Sequence, residues 1–417
     1  MGGKVSIILV MMFSALFALF GRNILRNSVN MTENFSGYYS VTRAQSIAIS
    51  GANMAINKLF LDKTWKAGFN KPFAYGTMDV KIDTVGWDDR KITSSGTYNG
   101  VTKKVEILLE PENFAMFGNF YNVFGSVWAA TGDTFSGRFH ANDWINCYGD
   151  PVFLGAATTS KGVKLYDKYS HPEFHGGTKI TPTIPIEFDT SVIRTAAYSN
   201  GKIFRDTTNS GKATYVDLNF QSNGNVAYKL KIGSGSWTTV KTVPLTTLSP
   251  NGVIYVEKGN IIVQGTLNGR ATIVASQKGT DVNLGQIQIA NSIQYEKNPL
   301  TDPACDDMLG MVAENKVRVL FDNSRGDINI QGSIFSQKDG LVIDNYSSYS
   351  SAHNMNLVGG VIGQKVQATA TYQLINGHYV PVHGYSYVHK YDKRFLKVRP
   401  PYFPSTKYYR VVSWYEE

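Results

Sequence analysis

The pattern of hydrophobic and polar positions begins with an uncharged apolar run at the N-terminus. Residues 5–20 read VSIILVMMFSALFALF, a little short of the ~20 apolar residues that a membrane span takes. A polar neck, 21–40, follows, and then apolar residues recur at three- and four-residue steps, as on one face of a helix. We predict a single helix over 4–62, about 90 Å long at ~1.5 Å per residue. Its apolar stripe consists of Val41, Ala44, Ala48, Ala52, Ala55 and Leu59.

Residues 63–112 predict a small antiparallel sheet. Their alternating runs are separated by Gly and Asn turns, and Asn99-Gly100 is a strong two-residue hairpin signal. Such a sheet needs a surface that covers one of its faces, and the amphipathic half of the helix is suited to this. The predicted strands are 78–84, 91–98 and 102–110.

Residues 251–370 carry the main β signal, in short alternating runs joined by Gly or Asn turns. The runs recur at intervals on the order of 15–22 residues, which suits the coils of a right-handed β-solenoid. A β-sandwich is the alternative, although its strands would be longer and its turns more hairpin-like. Short β-like pieces in 113–160 predict the start of the solenoid.

Residues 161–250 have a different composition, dominated by Thr, Ser, Lys and Gly, and predict an inserted antiparallel subdomain. A short helix is expected at 188–198. The expected strands are 214–220, 226–232 and 236–242. The last segment, 371–417, is aromatic and basic, and we expect it to cover open β edges. The predicted fold class is therefore α+β and mainly β.

Composition adds limited information about function. The 39 Gly, 24 Tyr and 22 Phe favour β structure with many turns. Lys and Arg outnumber Asp and Glu by 41 to 32, a formal charge of +9 that is spread along the chain without a nucleic-acid motif. A solvated basic surface is favoured, and an anionic or glycan polymer of the cell surface stays open as a partner.

The residues that could carry catalysis or bind a metal do not form a known constellation. His140, Asn142 and Asp143 form a turn-like cluster without a nucleophile nearby, and we expect their side chains to satisfy backbone groups. Three histidines near the C-terminus are unevenly spaced and lack neighbouring Cys, so no metal or cofactor is predicted. They are His378, His383 and His389. The acids of the predicted solenoid fall mostly at turns: Asp281, Asp322, Asp327 and Asp344.

The N-terminus resembles the helix of type IV pilin-like proteins, and most closely that of minor pilins. The resemblance consists of a short basic leader (MGGK), the apolar run, the polar neck and the run RAQSIAISGANMAINKLF. It implies cleavage by a peptidase after Gly3, or after Gly2, so that Gly3 and Lys4 mark the processing site. Pilins usually have a Glu five residues into the mature chain, where this sequence has Ile8. The matching positions of the run are Arg43, Ala44, Ala48, Gly51, Ala55 and Leu59.

The body resembles the β-helical domain of a group of bacterial pilin-like surface proteins, over most of the chain. In that group a motif of the form HxN…PVF opens the solenoid. Here its residues are His140, Asn142, Pro151, Val152 and Phe153.

The resemblance implies an extracytoplasmic body, where thiols oxidise. Stacked coils could bring Cys147 and Cys305 together in a disulfide, and two separately buried free cysteines are the alternative. The two cysteines are too far apart in sequence for a CxxC motif, and two are too few for a zinc site.

We therefore predict a non-enzymatic, pilus-associated structural subunit. Its helix would be held in the inner membrane and then pack among other pilin-like helices. A membrane-anchored, glycan-binding adhesin and a polysaccharide-active β-helix enzyme are the alternatives, as are a plain membrane anchor and a cleaved secretory signal for the N-terminus. The residues expected to face lipid or other helices are Val5, Ile8, Leu9, Phe13, Leu16 and Phe20.

Overall fold

The computed structural model describes residues 2–85, 89–186, 190–208, 210–375 and 378–417. Its α-helices are α1 (Gly2–Leu61), α2 (Thr190–Asn200) and α3 (Leu245–Leu248). Short 3-10 turns lie at Phe114–Met116, Tyr346–Ser348 and Lys393–Leu396.

The strands are given in chain order. The first group is β1 (Phe69–Phe73), β2 (Gly76–Val85), β3 (Asp89–Tyr98), β4 (Val101–Asn113), β5 (Phe117–Val123), β6 (Ala129–Ala130), β7 (Thr134–Phe135), β8 (Arg138–Ala141), β9 (Trp144–Tyr148), β10 (Val152–Phe153), β11 (Ala157–Thr159), β12 (Gly162–Leu165), β13 (Glu173–Phe174) and β14 (Thr178–Ile180). The second group is β15 (Lys202–Phe204), β16 (Thr214–Phe220), β17 (Asn225–Ile232), β18 (Lys241–Pro244), β19 (Val253–Val256), β20 (Gly259–Leu267), β21 (Arg270–Ala275), β22 (Ile287–Tyr295), β23 (Met308–Ala313), β24 (Val317–Val319), β25 (Ile328–Ser336), β26 (Leu341–Ile343), β27 (Ala352–Lys365), β28 (Ala370–Ile375), β29 (His378–Lys390) and β30 (Ser405–Glu416).

The chain forms two compact units. The first, which we call the helix–sheet unit, comprises Met1–Pro111 and Lys407–Glu417. The second, the β body, comprises Glu112–Thr406. The predicted succession of a long N-terminal helix, a small antiparallel sheet and a mainly β body is thus present.

The helix–sheet unit buries one stripe of α1 against β2 and β3. The stripe differs from the prediction at two places: Val41 is exposed, whereas Ile47 is buried. Ser40, one residue before Val41, is the first buried residue of α1, so the buried stripe passes through a polar residue that the apolar pattern left out. The other buried stripe residues are those predicted: Ala44, Ala48, Ala52, Ala55 and Leu59.

The contact between α1 and β3 is closer than ordinary side chains allow. A Cβ atom on Gly96 would collide with backbone atoms of Ala44 and Ala48. A Cβ atom on Gly51 would collide with the hydroxyl oxygen of Ser94. Glycine on both sides of the interface therefore sets the distance between helix and sheet.

The sheet of this unit has the order β1-β2-β3-β4-β30. The three predicted strands are β2, β3 and β4, and the turn between β3 and β4 has positive φ at both Asn99 and Gly100 (47° and 80°), as a type I′ hairpin requires. The pattern analysis missed β1 and β30. Part of 371–417, expected to cover edges of the solenoid, instead forms β30 beside β4, where the backbone N–H of Glu417 donates to the carbonyl of Lys104 at 2.9 Å.

Most strand pairings in the β body are parallel. One series of strands, which we call the long ladder, has the order β15-β19-β21-β23-β25-β27-β5-β8-β11-β14. A β-sandwich is built from antiparallel sheets, so this pairing favours stacked coils. That the β body is a right-handed β-solenoid remains a prediction.

Aliphatic side chains are stacked in register along the neighbouring ladder. Leu218 of β16 is paired with Val263, which is paired in turn with Ile289, Val319 and Ile343 on successive strands. All five are buried. Each such side chain stabilises the fold by ~1.5–3 kcal/mol relative to an exposed one, and because no single coil can cover its own inward face, the coils depend on one another.

The order of the long ladder differs from the order of the chain. Strand β5 is the first of the β body, yet it lies inside the ladder: Phe120 is paired with Ile362 of β27 on one side and with His140 of β8 on the other. The predicted start of the solenoid at 113–160 is therefore not an end of the stack. Among the described strands, the ladder terminates in β14 and β15, which 181–201 connect.

Residues 161–250 do not behave as a separate inserted subdomain. Strands β12 to β16 pair in parallel with other strands of the body, and only β16, β17 and β18 form antiparallel pairs. The expected helix at 188–198 corresponds to α2, although its first two positions lie outside the described residues. The expected strand 236–242 is displaced to β18.

Candidate functional site

The first part of α1 has no cover within the chain. Every residue from 5 to 39 is exposed except Gly21, which is half-buried. The six apolar residues predicted to face lipid or other helices are all more than 45% exposed: Val5, Ile8, Leu9, Phe13, Leu16 and Phe20. By length and composition α1 is able to cross a membrane.

This exposed surface determines what α1 can do. Neighbouring positions such as Leu9, Val10 and Met11 point in different directions around a helix, and all three are exposed, so the apolar surface surrounds the helix. In water such a surface is unfavourable and must be buried against lipid or against other helices. The predicted processing residues Gly3 and Lys4 lie in the first turns of this helix, and their processing remains a prediction.

His140 is part of a buried polar network. Its Nδ1 lies 2.8 Å from the hydroxyl of Thr158, and its Nε2 lies 2.8 Å from Oδ1 of Asn142. The Asn142 side chain makes two hydrogen bonds with the backbone of Ile184. Its Nδ2 donates to the carbonyl of Ile184, and its Oδ1 accepts the backbone N–H of Ile184. Burial lowers the pKa of His140. This geometry supports the predicted role of the cluster in satisfying backbone groups.

His389 is fully enclosed in the β body. Its Nδ1 accepts the backbone N–H of Ser136 at 3.1 Å, and its Nε2–H donates to the carbonyl of Gly359 at 3.1 Å. Burial lowers its pKa to about 4, so the ring is neutral. His383 bonds the carbonyl of Tyr349 at 2.7 Å, and these two histidines therefore have separate structural partners.

No metal centre is formed by the described part of the chain, in which no three His, Cys, Asp or Glu residues are grouped so that they could hold an ion. The acids of the predicted solenoid engage local partners. Asp344 pairs with Arg318 at 2.6 Å, and Asp322 accepts hydrogen bonds from the hydroxyl and backbone N–H of Ser324.

The predicted disulfide between Cys147 and Cys305 is not formed, and both thiols are free and buried. Cys147 lies in β9, where its thiol lies 3.8 Å from the carbonyl of Ile145. Cys305 lies against Arg394, whose Nη1 is 3.1 Å from Sγ. The order of the ladders explains the difference, because strand stacking does not follow the chain order from which the pairing was expected.

The β body contains a cavity that the sequence analysis missed. We call it the aromatic pocket; its volume is about 650 Å³. Its lining includes the following aromatic residues and one acid: Tyr121, Trp128, Tyr148, Tyr166, Tyr372, Tyr387 and Asp133. These residues come from the segments 121–166 and 341–387, which are brought together by the parallel pairing of β5 with β27. No local pattern signals this pairing.

Comparison with known proteins gives no family. No family model matches the chain, and no curated protein does. Among solved structures, the chain is similar to the crystal structure of the competence-associated pilin ComZ from Thermus thermophilus, at 11% identity and a TM-score of 0.40, over 91% of this chain and 97% of that one. At these values the likeness does not assign the chain to a family.

Proposed function

We propose that this protein is a non-enzymatic, pilin-like structural subunit. In this proposal α1 anchors the chain in the inner membrane and later packs among the helices of other pilin-like subunits. The observation that carries the proposal is the uncovered apolar surface of α1 over 5–20. A helix that is apolar all round and unburied in its own chain needs a partner of the same character.

The junction between the two parts of α1 supports this proposal. The exposed part ends at Tyr39, and the part that packs on the sheet begins at Ser40. One continuous helix thus has an unburied half and a half held by its own sheet. The run with Arg43, Ala44, Ala48 and Gly51, which resembles the pilin-like helix, lies at this junction.

We further propose that the β body is a right-handed β-solenoid displayed outside the cytoplasm. Its parallel ladders are consistent with that architecture, and crossovers between parallel strands are right-handed in about 98% of cases. Display outside the cytoplasm follows from the proposed anchoring of α1.

Fractionation of cells tests the proposed function. The full chain is expected with the membranes, or with filaments sheared from the cell surface. A variant that lacks residues 1–39 is expected to be soluble and folded, because every residue removed lies before the first buried residue of α1. A full-length chain that is soluble and monomeric without detergent contradicts the proposal.

A further inference from the structure

The aromatic pocket has an unusual charge for this chain. The protein carries a formal charge of +9, yet the lining contains a single charged residue, the acid Asp133, and no Lys, Arg or His. The rest of the lining is aromatic, aliphatic or uncharged polar. The pocket is therefore acidic in a basic protein.

Asp133 has a hydrogen-bond donor but no counter-charge among the residues that the structure describes. Its Oδ2 accepts the backbone N–H of Ala130 at 2.8 Å, and Tyr372 is among the groups that act on its pKa. Burial raises the pKa of this carboxyl to about 6, so it is mostly ionised at neutral pH. A half-buried carboxylate is costly without a positive partner, and what the site lacks is charge rather than hydrogen bonds.

The aromatic rings supply a surface that attracts cations. Tyr166 meets Trp128 edge-to-face at a centroid distance of 5.2 Å and meets Tyr148 edge-to-face at 4.5 Å. The ammonium of Lys164 already lies 5.6 Å from the centroid of the Trp128 ring. Rings arranged at right angles around an ammonium group are a recognised way to bind quaternary ammonium ligands.

We propose that the aromatic pocket binds a small organic cation with a quaternary ammonium head, with Asp133 as its counter-ion. The aromatic rings supply cation–π contacts, and the carboxylate supplies the compensating charge. A quaternary head suits the site because the carboxylate already accepts a backbone hydrogen bond and a fully alkylated nitrogen donates none. The volume of about 650 Å³ is within the range of sites for small molecules.

Binding should depend on pH through Asp133 alone. The titratable groups that face this carboxyl are Tyr121, Tyr372 and Tyr387, and burial raises the pKa of each. These tyrosines stay neutral where Asp133 titrates. A cation favours the ionised carboxylate, so its affinity should fall as the pH drops below about 6.

Calorimetric titration of the full chain with choline and with tetramethylammonium tests the proposal. The detergent should be a polyoxyethylene type, which carries neither a sugar nor an ammonium group. We expect saturable binding at about pH 7.5 that weakens by up to ~10-fold at about pH 5, because about a tenth of the carboxyl groups stay ionised there. Asp133→Asn should weaken it at least ~10-fold, about 1.4 kcal/mol, and Asp150→Asn, at an exposed acid outside the lining, should not.

A second pair of variants tests the aromatic wall. Tyr166 is 57% exposed, so Tyr166→Ala should remove part of the wall without unfolding the chain. Tyr169→Ala removes a similarly exposed tyrosine outside the lining and should leave binding unchanged. Unaltered thermal unfolding of the variants shows that the pocket is intact.

Three outcomes overturn the proposal. The first is the absence of saturable binding of either cation. The second is binding that Asp133→Asn leaves unchanged. The third is equal binding of glucose or maltotriose with no dependence on Asp133, which would make the pocket a neutral sugar site.

Discussion

The hydroxyl of Ser94 in β3 donates a 2.7 Å hydrogen bond to the backbone carbonyl of Ala48 in α1. The bond is buried, and through it a backbone carbonyl within the helix accepts a hydrogen bond from the sheet. It requires the helix and the sheet to approach closely, which Gly51 and Gly96 permit because neither carries a side chain. The half of α1 that packs on the sheet is held by this contact as well as by its apolar stripe.

The first prediction concerns the two helix glycines Gly51 and Gly37. Alanine normally stabilises a helix relative to glycine by ~0.5–1 kcal/mol. At Gly51 the new Cβ would collide with Ser94, Met78 and Val80, whereas at Gly37 it would meet nothing within 4 Å. We expect Gly51→Ala to lower the free energy of unfolding of the helix–sheet unit by about 1–3 kcal/mol and Gly37→Ala not to lower it.

Hydrogen exchange of the β2 and β3 amides measures the change in stability of the helix–sheet unit. Protection should fall in Gly51→Ala and stay unchanged in Gly37→Ala. Equal protection in the two variants would show that the close approach of helix and sheet is absent.

The second prediction separates the apolar run of α1 from the rest of its exposed surface. Phe13 and Phe35 are exposed phenylalanines on the same helix, and only Phe13 lies in the run 5–20. Phe13→Asp should block membrane insertion, because a central charge costs ~2.5–3.5 kcal/mol, and Phe35→Asp should not. Alkaline extraction of membranes measures insertion, and loss of insertion in both variants or in neither would refute this division.

The third prediction concerns His389 and acid stability. Burial lowers its pKa to about 4, from ~6.5 in an unfolded chain. The unfolded state therefore binds the proton first, and the stability due to the neutral ring is complete above pH ~6.5 and is lost as the pH falls to ~4. The expected loss across this window is about 3 kcal/mol.

The free energy of unfolding of the natural chain also depends on Asp133, whose raised pKa increases stability as the pH falls. The contribution of His389 is therefore measured as a difference between the natural chain and a His389 variant. The stability of the natural chain relative to His389→Gln should decline by about 3 kcal/mol from pH ~7 to ~4. Urea unfolding at each pH gives both curves, and parallel curves for the natural chain and His389→Gln would be inconsistent with a buried neutral imidazole.

The fourth prediction is that Cys147 and Cys305 remain free thiols in the mature protein. Burial raises the pKa of the Cys147 thiol to about 12 and also raises that of Cys305. Both should react with iodoacetamide slowly in the native protein and fully in urea, because the thiolate is the reactive form. A non-reducing peptide map checks this, and a cross-linked peptide containing both residues would overturn it.

The parts of the fold that were predicted from sequence are those with local causes. The helix follows from a periodic apolar pattern, and the turn at Asn99-Gly100 follows from its two residues. Val41 was misassigned because the pattern counts apolar residues only, whereas the buried face of the helix passes through the polar neighbour Ser40.

The parts that were not predicted depend on contacts between distant segments. The pairing of β5 with β27 sets the order of the long ladder and assembles the aromatic pocket. The alternating apolar and polar residues of β5 and β27 would be equally compatible with pairing to other strands of the body. The same ambiguity led to the expected pairing of Cys147 with Cys305. The assignment of 161–250 to a separate subdomain followed from its composition, which does not indicate the parallel partners of its strands.

The mass of the mature N-terminal peptide, with and without the prepilin peptidase of the cell, tests the central claim most directly. The account predicts cleavage after Gly2 or Gly3, which leaves Gly3 or Lys4 as the first residue, and an uncleaved chain when the peptidase is missing. In either form the apolar run from Val5 to Phe20 stays in the mature protein. A mature chain that begins after residue 20, independently of this peptidase, would show that the run is a secretory signal and would contradict the pilin-like account.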